Sequence, residues 1–155
     1  LSDSGTISEE SAILDFPGPR LKGYTVESVI AEKFEAMVKL GRLNSRMKDF
    51  YDIWLMARQF DFKGSELSQA IRQTFEHRGT SLPEKTPIFE NEIYNKSSDR
   101  QQLWKAFLQK MEIKNTPGDL CEVAGAIENF LIKPVLALHA GHELSANWHA
   151  PGLWR

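Results

Sequence analysis

Between residues 26 and 38 the apolar side chains recur with the period of a helix. At about 100° per residue, Val26, Val29, Ile30, Phe34, Met37 and Val38 share one face. Lys33, seven residues after Val26, points into the middle of that face. Thr25 supplies an N-cap, Glu27 an acid in the first turn and Gly41 a stop. GRLNS is a short connection in which Ser45 can cap again, and residues 46–60 predict a second helix. Its later half, Ile53 to Ala57, is apolar all round, which places it centrally in a core.

The same period continues downstream. A third helix is expected from Ser65 to Arg78, with Leu67, Ala70, Ile71, Thr74 and Phe75 inward and Gly79 as its stop. A short helical piece is expected near Phe89 to Tyr94. The next helix opens with Ser98 and Gln101 in capping-box positions, and its inner face is Leu103, Trp104, Phe107, Leu108 and Met111. Asp119 and Glu122 begin a last helix with the stripe Leu120, Val123, Ala124, Ile127, Phe130, Leu131, Val135 and Leu138, which Pro134 should kink. Strand is expected only before Tyr24, around Thr6–Ile7 and Ala12–Phe16, ahead of a turn at Pro17-Gly18-Pro19. HELSANWHAPGLWR has no helical period and should lie across the bundle surface. Phe34, Met37, Trp54, Leu55, Phe75, Phe107 and Ile127 are expected in one core.

Composition narrows the class without naming a partner. The chain of 155 residues is 41% hydrophobic and 26% charged, which excludes disorder and suits one globular domain. A net charge of −2 gives no global attraction to nucleic acid or membrane. No apolar run approaches the roughly 18 residues of a membrane helix, no basic-then-apolar leader is present, and Cys121 stands alone as a small core residue. The expected setting is therefore the cytoplasm, with no membrane partner. No glycine-rich phosphate loop and no His/Cys zinc spacing occurs.

The chemistry concentrates where the first two helices meet. Glu32, Lys33, Arg46, Lys48, Asp49 and Asp52 are expected to cluster at the facing ends of two antiparallel helices. Two readings fit. In one, the charges are a structural ion-pair network, with Lys33 reaching past its apolar stem. In the other, Lys33 presents a positive charge to an anionic ligand such as a triphosphate, and an aspartate orients the lysine or an attacking hydroxyl. On the third helix Arg72, His77 and Arg78 could form a small basic face for RNA phosphates, or an ordinary solvated face.

YTVESVIAEKFEAMVKLGRLNSRMKDFYDIWLMARQFDF resembles the C-terminal part of AbiEii/AbiGii-type nucleotidyltransferases, toxins of abortive-infection and type IV toxin–antitoxin systems. The carriers are the Ala-Glu-Lys helix and the Asn-Ser-Arg-x-Lys-Asp-x-x-Asp helix, supported by LDFPGPRLKGY, TFEHRGTSLP and NFLIKPV over most of residues 12–135. The resemblance implies catalytic roles for Lys33 and Asp49, with Asp52 as the alternative carboxylate and Arg46 and Lys48 as nucleotide-binding candidates. It also implies Mg2+ and a nucleoside triphosphate as ligands, tRNA among the possible acceptors, and an antitoxin as a possible partner.

The family's Gly-Ser motif and strand-borne Asp-x-Asp pair are missing from the sequence, where only Asp3 lies near the start. The chain is therefore expected to be the C-terminal portion of a longer transferase, to bind neither ligand tightly alone, and to be catalytically incomplete. The expected fold is mainly α: a strand remnant and loop over 1–24, a helical domain over 25–141, and an irregular tail over 142–155. The rival expectation is a non-catalytic helical module that docks an antitoxin or another subunit.

Overall fold

A computed structural model describes residues 20–21, 24–40, 46–84, 88–89, 93, 95 and 98–155. Within these, the protein is mainly α. A two-residue hairpin, β1 (Arg20–Leu21) and β2 (Tyr24–Thr25), feeds α1 (Val26–Leu40), which is followed by α2 (Met47–Gln59). Then come β3 (Phe62–Lys63), α3 (Gly64–Arg78), α4 (Asp99–Lys110), α5 (Leu120–Ala140) and β4 (Asn147–Trp148), with β4 antiparallel to β3. The candidate strands at residues 6–7 and 12–16, the turn at 17–19, Gly41, Ser45 and most of 89–94 lie outside the described residues.

Helix α1 begins as its sequence requires. Thr25 Oγ1 accepts the Ser28 N–H at 3.1 Å, and Glu27 and Lys39 complement the helix dipole at the two ends. Its apolar face packs on α3 and α2, with the rings of Phe34 and Phe75 5.2 Å apart. Helix α3 ends at Gly79, whose φ of 67° is the left-handed turn that spares glycine a steric penalty. The Thr80 N–H then returns 3.0 Å to the Phe75 carbonyl. Helix α5 packs against α2, α3 and α4, so its stripe is buried on several sides. Phe34, Met37, Trp54, Phe75 and Ile127 are core residues as expected, while Leu55 and Phe107 are only partly buried against that core.

Several local expectations are overturned by long-range demands. Strand is not confined to the region before Tyr24, because β2 includes Tyr24 itself and β3–β4 joins residues 62–63 to 147–148. Trp104 is buried as expected, but Leu103 and Met111 are exposed and Gln101 turns inward. The capping box does not form: Ser98 makes no side-chain capping bond. The Gln101 amide crosses to the start of α5, donating to the Gly118 carbonyl at 2.8 Å and accepting the Leu120 N–H at 2.7 Å. A buried helix N-terminus needs an acceptor where water cannot supply one, and the Gln101 carbonyl oxygen meets that need. Cys121 is half-buried rather than a core residue.

The final segment completes two helices. Proline at 134 has no N–H for the Phe130 carbonyl four residues earlier. The Trp154 indole supplies the missing donor at 3.0 Å, and α5 continues through Pro134 to Ala140. Trp148 does the same for α2, donating at 2.6 Å to Ala57, whose carbonyl lies in the last turn. Both indoles pack around Phe130, Trp148 edge-on with centroids 4.8 Å apart and Trp154 stacked at 6.1 Å.

Gly64 sits where the β3–β4 pairing draws two backbones together, its N–H 3.1 Å from the Ala146 carbonyl. A β-carbon there would collide with that carbonyl and with Leu144. Gly64→Ala should therefore cost about 1–3 kcal/mol in urea unfolding. Gly125→Ala, inside α5 with open space beside it, should instead gain about 0.5–1 kcal/mol by helix propensity.

Candidate functional site

Two carboxylates on α2 are buried, and the surrounding charges follow from that. Asp49 and Asp52 are one helical turn apart and face α1. Burying an ionised carboxylate is costly unless cations and hydrogen bonds replace water. Lys33 from α1 supplies the first cation, with Nζ 2.9 Å from Asp52 Oδ2 and 3.5 Å from Asp49 Oδ1. Lys48, one turn before Asp52, places Nζ 2.8 Å from the same Oδ2. Arg46 Nε lies 3.5 Å from Asp49 Oδ2. Five of the six residues expected to cluster therefore come together.

The cations are graded from inside to outside. The aspartates are 2% and 1% exposed, Lys33 23%, Lys48 33% and Arg46 62%. Within these five residues the cations are the more exposed groups, so the cluster turns its positive side toward solvent, the sign that an anionic ligand requires. The two aspartates are not equivalent. Asp52 Oδ2 is held closely by two ammonium groups, whereas the contacts of Asp49 are both long. Burial pushes the Asp49 carboxyl above its usual pKa, and Lys33 and then Arg46 pull it back only in part, with Asp52 adding a further upward push. The neighbouring Tyr51 phenol is also raised, by burial first and by the Asp52 charge second.

Glu32 does not belong to this cluster. It is exposed and lies 3.6 Å from Arg78 at the end of α3. A second charged site there escaped the sequence reading: Glu35 is fully buried, accepts a hydrogen bond from Thr80 Oγ1, and lies 3.6 Å from Arg78. No local pattern marks it, since its partners Thr80 and Arg78 lie at the far end of α3. Arg78 lies beside Glu32 and Glu35, and Arg72 beside Glu76 at 3.4 Å, which fits the ordinary solvated face better than a basic face for RNA. His139 is tied to the Pro83 carbonyl at 2.7 Å.

Among the described residues, no group of three or more His, Cys, Asp or Glu side chains could hold a metal, and Asp49 and Asp52 are already matched to ammonium and guanidinium groups. Asp3 lies outside the described residues. No helix among them is long and apolar enough to cross a membrane.

Removing the ammonium of Lys33 strips Asp49 and Asp52 of their shared partner. Lys33→Met should lower stability at neutral pH by about 1–3 kcal/mol in denaturant unfolding, because the carboxylates stay buried with fewer partners. The stabilising contribution of a raised Asp49 is complete below its ordinary pKa and is lost as pH rises through the folded value. Asp49→Asn has no such titration, so its stability relative to wild type should climb over that window. Parallel unfolding curves across acidic pH would show it.

The family model described as Nucleotidyl transferase AbiEii toxin, Type IV TA system, matches residues 2–130, a stretch that contains every member of the cluster. Neither a curated protein nor a solved structure matches the chain.

Proposed function

The chain belongs to the AbiEii family of nucleotidyl transferase toxins of type IV toxin–antitoxin systems, and from this we propose that its α1–α2 junction supplies the phosphate-facing side of a nucleotidyl transfer site. The observation that carries this reading is Lys33, an ammonium fixed between two buried aspartates yet partly open to solvent. Electrostatic stabilisation is strongest when the charged group is held in place before substrate arrives, and Asp52 holds Lys33 and Lys48 on a single oxygen. The two ammonium groups, with Arg46 at the rim, would meet the oxygens of a nucleoside triphosphate.

The bond changes are those of phosphoryl-type transfer. An acceptor hydroxyl oxygen bonds to the α-phosphorus, the bridge to the β-phosphate breaks, and pyrophosphate departs with the electron pair. The hydroxyl proton needs an acceptor. Asp49 suits that role better than Asp52, because its contacts are longer and its carboxyl is already biased toward taking up a proton. tRNA is one acceptor to test, and the family's antitoxin is the partner to test for docking.

A structural reading has its own support: each of the two buried aspartates has cations of the same chain beside it. On that reading the domain is a helical module that docks an antitoxin or subunit. Transfer of labelled nucleoside triphosphates to bulk tRNA, in the protein as its gene encodes it, separates the two. Lys33→Met and Asp49→Asn should each reduce transfer by about a hundredfold or more while circular dichroism shows a folded protein. A folded Lys33→Met protein with wild-type transfer would assign the cluster to structure alone.

A further inference from the structure

We infer that a second site, a cleft between the C-terminal end of α2, the middle of α5 and the 151–154 loop, binds a nucleotide unit, meaning an aromatic base carrying a phosphate. The cleft encloses about 420 Å³, within the usual range for small-molecule sites. Its walls include Trp54, Trp148 and Trp154, and Arg58, Asn129 and Lys133 bring polar groups to them. It is distinct from the Lys33 cluster, since Asp49 and Arg58 are nine residues apart on α2, about 14 Å of helix rise. The inference does not rest on the transfer reading.

Charge is the first argument. Lys33, Lys48, Arg46, Arg72 and Arg78 face carboxylates, and the cations of the cleft differ from them. Among the described residues, no carboxylate lies within ion-pair reach of Arg58 or Lys133. Arg58 is favourably placed at a helix C-terminus, but Lys133 sits inside α5, where the helix dipole offers it nothing comparable. Two unmatched cations bordering one concavity define an anion site, and phosphate is the anion that guanidinium and ammonium groups suit together.

The aromatic wall is the second argument, and it is rigid. Arg58 lies over the Trp54 ring, 5.0 Å from its centroid, which limits the guanidinium's freedom before any ligand arrives. The indole N–H groups of Trp148 and Trp154 are committed to the Ala57 and Phe130 carbonyls, so these rings offer the cleft carbon surface and not donors. The loop between them is closed by reciprocal bonds between Asn147 and Arg155, at 2.9 and 3.0 Å, and by His149 N–H to the Leu153 carbonyl. Trp54 and Trp148 are buried and back the wall, so the half-buried Trp154 is the ring a base would pack against beside the cations, and the Asn129 amide can both donate to and accept from a base edge. A purely acidic ligand would use the cations and leave the tryptophan wall without a role.

The test follows the indole N–H resonances of Trp148 and Trp154 by NMR during titration with AMP, and separately with a short oligoadenylate RNA. Saturable shifts of both indoles are expected, weakening as salt is raised. The Arg58→Gln, Lys133→Gln double variant should lose affinity by at least about tenfold, the scale for removing charged hydrogen-bond donors. Lys110→Gln, an exposed charge on α4, and Lys33→Met should retain it. Comparable affinity for AMP and the oligonucleotide marks a free nucleotide as the ligand, and much tighter RNA binding marks a strand end. The inference is overturned if neither probe saturates, or if inorganic phosphate binds as tightly as AMP. It is also overturned if binding disappears in Lys33→Met and survives in the double variant, which would place the nucleotide at the α1–α2 junction.

Discussion

Helix α1 is held by opposite charges on opposite sides, and the placement of its neighbours depends on that. Lys33 reaches into the aspartates of α2, while Glu35, two residues and about 200° further round the helix, reaches Arg78 and Thr80 at the end of α3. Apolar packing alone tolerates modest sliding between helices, because methyl groups have little directional preference. A buried charge does not tolerate it, since losing its partner leaves an uncompensated ion. The hydrophobic face between Val26 and Met37 therefore supplies the general adhesion, and the two charges fix the rotation and depth of α1. The candidate site inherits its precision from the same arrangement.

The cluster itself is built unevenly. Asp52 oxygen Oδ2 gathers Lys33 and Lys48, and its other oxygen, Oδ1, is buried without a hydrogen-bond partner. A carboxylate used asymmetrically in this way holds close together two ammonium groups that would otherwise repel. Placing like charges side by side near solvent is unfavourable for folding and favourable for meeting a polyanion.

What the sequence disclosed and what it hid divide along the range of the interactions. Lys33 was conspicuous because a charge stood on a helical apolar stripe, and Asp49 and Asp52 stood one turn apart nearby; helix periodicity alone brings such groups into register. Gly79 likewise marked the end of α3 by a local conformational need. Gln101 misled, because its spacing from Ser98 imitates a local capping motif while its true partners, Gly118 and Leu120, depend on how α4 meets α5. Glu35 was hidden for the same reason, as its burial depends on where the far end of α3 arrives. The tail carried no period at all, since its contribution lies in two indole N–H groups whose acceptors are distant in sequence.

Pro134 and Trp154 form a coupled pair that never touches through an apolar contact requirement of its own: one residue creates an unmet carbonyl at Phe130 and the other answers it. Each is costly alone and acceptable together. An alanine at position 134 would bring an N–H that competes for the Phe130 carbonyl, and the indole would then be the group without an assignment. Drift at one position therefore changes what is permissible at the other, twenty residues away. Among descendants of this sequence the two should be exchanged or kept as a unit, which makes the chain's last residues part of the inheritance of its longest helix.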